Sequence, residues 1–569
     1  MKIIIKFLLL SFIVFFAREA IVCSQVKYHN PGEINSILIG LNKTYPALTM
    51  LETIGATDSG KDINVLTIGT GETGLKPGIA IIGGIDSRYV AGREVALGFA
   101  ERLLENSGTD EVKQLISKVS FYIIPDASPE ASSGYFSDPQ QERLVNANPT
   151  DNDRDFKTDE DPFEDLNDDG FISMMRVKDP TGDYITDPEE ERLMRKADPA
   201  RGETGSWYLY SEGIDNDKDG NFNEDGQGGV NFNNNFSFEY EEFGQYAGIN
   251  AVSEKETRAV ADFLYDHFNI FVVFSFGPQD NLGQAFRPAR SAQAQEQDQS
   301  QSLSLFQFQP QARPQAGGQQ FRRRSQKVTN IFPEDSDHNT LLSKKYLEHT
   351  GYRGSPGFTR EPGNFMEWAY YHYGRYSYST PGWWIQQEKG LSSEASFLKY
   401  ASENFDEDVF IEWQEVEHPD FPGKTVEIGG LKPFVLYNPP ENKLDEVIES
   451  NYLFLIDAAQ LHPELELLDL KTEKLDKDLF RVTVKLHNKG VFATTSQMGD
   501  QVKWMRKLKV ELKSNSGFSL ASGKKIIIAD RLRGDESREY SWLLMGKGDF
   551  SISAGAINCG MDEINFTLR

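Results

Sequence analysis

At 569 residues, with 38% hydrophobic and 12% aromatic side chains, the chain is too long for one compact domain and apolar enough to build large cores. A formal net charge of −28 excludes non-specific nucleic-acid binding, which needs clustered Lys and Arg to displace counterions.

Residues 1–24 have a Lys-bearing start and an apolar run from Phe7 to Ala17 that is short for a membrane span. They read as a signal peptide cleaved after Ser24, with lipidation at Cys23 as the alternative. Cleavage leaves Cys559 as the lone cysteine, so no intramolecular disulfide and no cysteine-held metal is expected. No later segment is apolar enough to span a bilayer, so the mature chain is expected to lack a transmembrane span.

From about residue 25 to 462, apolar runs alternate with amphipathic stretches. LTIGTGE, GIAIIGGI, VSFYIIPD and IFVVFSFG read as buried strands. Between them, Val95, Phe99 and Leu103 recur at helical spacing, and Ser253 with Glu256 forms a capping-box pattern ahead of another helix. Such alternation predicts an α/β domain. Two insertions interrupt it. The glutamine-rich one, 284–326, cannot bury enough apolar surface to offset its ordering entropy. After Pro463, short alternating strands separated by Gly, Asn and Ser turns predict a β-sandwich over 463–569.

The other insertion, 148–228, is acidic. DLNDDG places Asp165, Asn167 and Asp169 ahead of Gly170, and DNDKDG places Asp215, Asp217 and Asp219 ahead of Gly220, with Asn223 further on. Calcium takes six to eight oxygen ligands, which loops of this kind supply around a sharp glycine turn. A third stretch carries Asp151, Asp153 and Asp155 but has Phe156 at the glycine position. None has Glu at the twelfth position, so these are not full EF-hand loops. A structural calcium role is expected, with an acidic solvated loop as the plainer reading.

Five segments occur in an order that resembles the carboxypeptidase A-like zinc metallocarboxypeptidases: residues 45–69, GGIDSRYVAGRE, GGVNFNNNF, SEKETRAVADFL and EWAYYHYGRYSYST. Within that family the chain resembles secreted bacterial members with Asp-rich inserts and a C-terminal β-sandwich. The resemblance implies a mixed eight-stranded sheet flanked by helices over 25–462, a zinc cofactor, and a periplasmic or surface location in a Gram-negative bacterium.

It also implies where the chemistry would sit, and there the residues depart from the family. The His-x-x-Glu zinc ligands fall on Asp86 and Tyr89, and the third ligand on Phe274. The catalytic glutamate falls on Pro381, the carboxylate-clamping arginine on Asn234, and the mobile tyrosine on Thr359. Arg88 and Asn233 are retained, either as residual substrate-binding groups or as polar groups the fold still needs. None of the eight histidines is followed by Glu three residues on, so no shift of register restores the motif. A catalytic zinc needs three nitrogen or carboxylate ligands plus water, which this set does not offer. The expectation is therefore a catalytically inactive pseudopeptidase that binds a peptide, protein or glycan. The alternatives are an active metallocarboxypeptidase with a non-standard metal site, or a surface-binding protein acting through the sandwich and the calcium insert.

Overall fold

The computed structural model describes residues 27–569 apart from 152–155, 160, 219, 221, 223–227, 287–327, 358 and 516. Residues 1–24, where a signal peptide is expected, and nearly all of the glutamine-rich insertion lie outside the described residues. So do Asp153, Asp155, Asp219 and Asn223.

Helix α1 (Pro31–Thr44) opens on a reciprocal cap between Asn30 and Glu33. The chain lays down β1 (Thr49–Ala56), β2 (Asp62–Ile68) and β3 (Gly78–Ile82). It crosses through α2 (Val90–Glu105) and α3 (Asp110–Lys118) to β4 (Ser120–Ile124). The acidic insertion contributes β5 (Met174–Lys178), β6 (Tyr184–Thr186), β7 (Met194–Lys196) and β8 (Trp207–Ser211) before α4 (Lys255–Asp266) and β9 (Ile270–Phe276). There follow α5 (Pro333–Thr350), α6 (Phe365–Tyr371), β10 (Tyr376–Thr380), α7 (Ser393–Asn404), β11 (Phe410–Val416), β12 (Val426–Leu431) and α8 (Glu441–Ala459).

The central sheet has the order β1-β2-β4-β3-β9-β10, antiparallel across β1-β2-β4 and parallel from β4 to β10. It is mixed and flanked by helices as expected, but among the described residues it has six strands rather than eight. Strands β11 and β12 go elsewhere. β12 pairs with β5, producing a second, antiparallel sheet in the order β11-β12-β5-β8-β6-β7. The insertion is thus half a folded layer, completed by residues about 250 positions downstream in a pairing such as Val177 with Val426.

Side chains alternate across the central sheet. Ile79, Ile81 and Phe274 face α2 and α8, whereas Ala80, Ile82 and Val273 face Phe263 and Trp368 on α4 and α6. Val95, Phe99 and Leu103 are fully buried as the helical spacing predicts. The Ser253–Glu256 capping box does not form. Glu254 stands at the N-cap without a side-chain cap, Ser253 donates to its carboxylate (2.6 Å), and Glu256 turns inward to 2% exposure.

The C-terminal region forms two antiparallel sheets. These use β13 (Leu465–Lys474), β14 (Leu479–Asn488), β15 (Leu508–Ser514), β16 (Ser519–Ser522), β17 (Ile526–Ala529), β18 (Glu536–Met545), β19 (Gly548–Ala556) and β20 (Gly560–Leu568). Their orders are β13-β14-β18-β16 and β17-β15-β19-β20, closed over a shared apolar core that includes Val482, Val510, Trp542 and Ile552. Among the described residues, no helix is long and apolar enough to cross a membrane.

Candidate functional site

Parallel strands β3, β9 and β10 deliver their C-terminal ends side by side, the place where an open α/β sheet presents its chemistry. From β3 the chain turns through Gly83–Tyr89 into α2. Asp86 is buried there at 2% exposure and forks onto its own neighbour. Its Oδ1 accepts from the Arg88 backbone N–H and Nε (3.0 Å each), and its Oδ2 accepts from Arg88 Nη2 (2.8 Å). Both carboxylate oxygens are thereby committed to a charge-assisted, bidentate pair.

Tyr89 packs tilted against Tyr437, ring centroids 5.1 Å apart, and the Arg88 guanidinium lies 5.8 Å from the same Tyr437 ring. Burial first, and the Asp86 charge second, push the Tyr89 phenol well above its ordinary value, so it stays neutral.

The loop ahead of α6 closes over this pair. Glu361 Oε1 lies 3.7 Å from Arg88 Nη2, while its Oε2 accepts from Gln279 Nε2 (3.2 Å) and Asn233 Nδ2 (3.4 Å). Burial, then the Asp86 charge, raises the Glu361 carboxyl above its ordinary value. Asn233 is fully buried and fully used. It donates to Gln279 Oε1 (2.9 Å) and accepts from the Phe365 N–H at the start of α6 (3.0 Å). Such a residue holds the scaffold together. Asn234 donates to the Pro362 carbonyl (3.3 Å), and the Thr359 carbonyl accepts from Gln279 (3.4 Å). The loop is further tied down by Ser355, which donates to buried Asp280 (2.8 Å).

Phe274 is not at this site. Its ring packs on Tyr378 and Phe454 in the core, because side chains alternate along β9. Phe276 faces the same core. The position at the end of β9 that abuts the pair is Gly277: a Cβ there would lie 2.7 Å from Ile85 Cδ1 and 4.0 Å from Asp86 Cβ. Pro381 is buried directly after β10, beside the Thr380 carbonyl that accepts the Gly277 N–H (3.0 Å).

The structure thus brings together Asp86, Arg88, Tyr89 and Asn233, with Asn234 and Pro381 at the margins. It adds Glu361, Gln279 and Tyr437, which no spacing motif announces because they come from a Gly/Pro-bounded loop, a strand exit and a distant turn. The donor set does not fit a catalytic zinc. It offers two carboxylates, Asp86 paired with Arg88 and Glu361 engaged by Gln279 and Asn233, one neutral phenol, and a glycine and a proline without donors. Among the described residues no three His, Cys, Asp or Glu side chains form a metal-binding group.

In the acidic insertion three loops share one hydrogen bond. The first Asp of each accepts the N–H five residues on: Asp165 from Gly170 (2.8 Å), Asp215 from Gly220 (3.0 Å) and Asp151 from Phe156 (2.9 Å). The donating residues all have left-handed backbones, with φ of 85°, 98° and 77°. Asn167 and Asp169 hydrogen-bond each other within the first loop (3.0 Å), and Asp217 lies in the second.

A family model described as zinc carboxypeptidase matches residues 34–406, and the chain belongs to that family. A domain family of unknown function matches residues 464–567. The chain is similar to carboxypeptidase E of Caenorhabditis elegans, 28% identical over 188 residues that cover 32% of this chain and 39% of that protein. It is also similar to carboxypeptidase B of Astacus astacus, 32% identical over 111 residues covering 20% and 36%. The matches therefore span well under half of those relatives. Among solved structures, thrombin-activatable fibrinolysis inhibitor shares 14% identity at a TM-score of 0.39, covering 77% of this chain and 78% of that one. A metallo-carboxypeptidase of Pseudomonas aeruginosa shares 10% identity at a TM-score of 0.29, covering 74% and 68%.

Proposed function

We propose that this zinc carboxypeptidase family member is a catalytically inactive pseudopeptidase, exported by a Gram-negative bacterium and used as a binding or scaffold module. The observation that carries this reading is the Asp86–Arg88 fork. Where the family resemblance implies a zinc ligand, both carboxylate oxygens are taken by a guanidinium, and Glu361 closes over them. Without a metal, an attacking water keeps a pKa of about 15.7 instead of about 7, and Pro381 offers no base to deprotonate it. The hydrogen bond shared by the loops at Gly170 and Gly220 supports calcium as the structural cation of the insertion, in keeping with the oxygen-rich spacing of Asp165, Asn167, Asp169, Asp215 and Asp217.

The test is peptide hydrolysis by the purified mature chain with added zinc, run beside Asp86→Ala. No release of C-terminal residues above a no-enzyme control is expected. Turnover that disappears in Asp86→Ala would instead establish an active enzyme with a non-standard metal site.

One observation favours a second reading, in which the sandwich supplies the binding surface. Edge strand β17 exposes Ile526 at 45% and Ile528 at 63%, an arrangement suited to pairing with a protein partner.

A further inference from the structure

Between the second sheet and the Asp86–Arg88 pair lies a cavity of about 460 Å³, inside the range of small-molecule sites, about 300–1,000 Å³. Tyr437 forms part of its lining and also contacts Tyr89 and Arg88, so the cavity backs onto the site already described without opening through it. Met174 of β5, Leu209 of β8, Trp413 of β11 and Leu431 of β12 line the opposite side. The cavity therefore exists because the insertion folds against residues 410–431.

The charges around it are not balanced. Three cations line it, but two are already neutralised. Arg192 pairs with Glu190 through two bonds (2.8 and 2.9 Å) and Arg195 with Glu203 through two more (2.7 and 2.6 Å). Lys432 rests over the Phe171 ring, 5.1 Å from its centroid. Three carboxylates line it as well, those of buried Asp187, half-buried Glu142 and exposed Glu394; among the described residues none of them forms an ion pair, although the Asp187 charge acts on Arg195. Glu142 is the most telling. One oxygen accepts the Phe434 N–H (2.7 Å), and burial raises the carboxyl above its ordinary value. Arg88, whose charge acts on Glu142, is committed to Asp86. A half-buried carboxylate held without an ion-pair partner is disfavoured by its partial desolvation, and a ligand that supplies a cation relieves that cost.

We propose that this cavity binds an organic cation, an apolar or aromatic body bearing one ammonium or guanidinium group, with the cation set against Glu142. The apolar wall takes the body, and the unpartnered carboxylates outnumber the one unpaired ammonium. This assignment is independent of whether the family's catalytic centre is active.

Isothermal titration of the full mature chain tests it, with tryptamine as the cation, tryptophol as its neutral isostere and indole-3-acetate as the anion. A second pair, Phe-Leu amide with a free or an acetylated amino terminus, separates a peptide amino end from a free small amine. Tryptamine, the free-amine peptide or both are expected to bind saturably, about tenfold or more tighter than their neutral counterparts. Glu142→Gln keeps an acceptor for the Phe434 N–H and is expected to lose about tenfold in cation affinity while melting no lower than the parent, since it removes a carboxylate that burial disfavours. Leu209→Trp, which fills the cavity from the other side, is expected to abolish binding, so the proposal stays testable if one variant fails to fold. Equal affinity for tryptophol, tighter binding of indole-3-acetate, indifference to Glu142→Gln in a folded variant, or no saturation by any probe at about 10 mM overturns it.

Discussion

Removing the Arg88 guanidinium leaves the Asp86 carboxylate buried and unpaired, which is the expensive way to break an ion pair. Arg88→Ala is therefore expected to cost about 3 kcal/mol, the lower end of the range for fully buried pairs, because the Arg88 side chain keeps 22% exposure. The Asp86→Ala, Arg88→Ala double variant is expected to recover most of that loss in urea unfolding. If the two single costs simply add, the fork is not the coupled pair described here.

Asp280 gives a second test at the same scale. Burial pushes its carboxyl up to about 6, against hydrogen bonds from the Gly283 N–H and Ser355 that pull it down. A carboxyl raised in the folded chain holds its proton there while the unfolded chain has released it. Stability is thus lost as pH rises from about 3.8 to about 6 and stays lost above. Asp280→Asn keeps the acceptor for the Gly283 N–H and is expected to be more stable than the parent at pH 7 by about 1–3 kcal/mol. It should also show a flatter stability profile between pH 4 and 6. An unchanged profile in that variant would assign the pH dependence to other groups.

At the scale of elements, the sandwich braces the segment that carries the site. Helix α9 (Gln497–Gln501) presents two N–H groups to buried Asp335 (2.8 and 3.2 Å), and Trp504 stacks on Tyr373 with ring centroids 5.5 Å apart. Tyr373 lies between α6 and β10, so the sandwich supports the strand that ends just before Pro381. Trp504→Ala is expected to destabilise the chain by about 2 kcal/mol, since the ring is only partly buried. Calorimetry showing loss confined to a separate sandwich transition would argue that the two parts are not mechanically joined.

What could be read from the residues divides along the same elements. GIAII and IFVVFSF were legible because strands buried on both faces are continuous apolar runs. The second sheet was not. MMRVK, YIT and MRK are short, the first and last are charged, and β5 finds one of its two partners some 250 residues away. At the site, motif spacing pointed to Asp86, Tyr89 and Pro381, and the structure places them near one another at the strand ends. The fork from Arg88 and the Glu361 closure were not legible, because both depend on how loops fold back. Assigning the third position to Phe274 went astray for a geometric reason: the side chain there points into the core, and Gly277 is the position at the strand end that abuts Asp86.

At the scale of the whole molecule, a chain of formal charge −28 concentrates carboxylates in an insertion that must nonetheless pack as a layer. A cation bound to the folded form adds stability by mass action, about 2.7 kcal/mol at a hundredfold excess over its dissociation constant. Chelating calcium is accordingly expected to lower the melting temperature by several degrees, and calcium, but not magnesium at equal ionic strength, to restore it. No response to chelation would leave the insertion ordered by its own hydrogen bonds. The central claim, that the Asp86–Arg88 fork has displaced zinc chemistry, is tested most directly by elemental analysis of the mature chain after dialysis against zinc. No stoichiometric zinc is expected in the parent. One tightly held zinc per chain, lost in Asp86→Ala, would contradict it and restore a metal-dependent hydrolase.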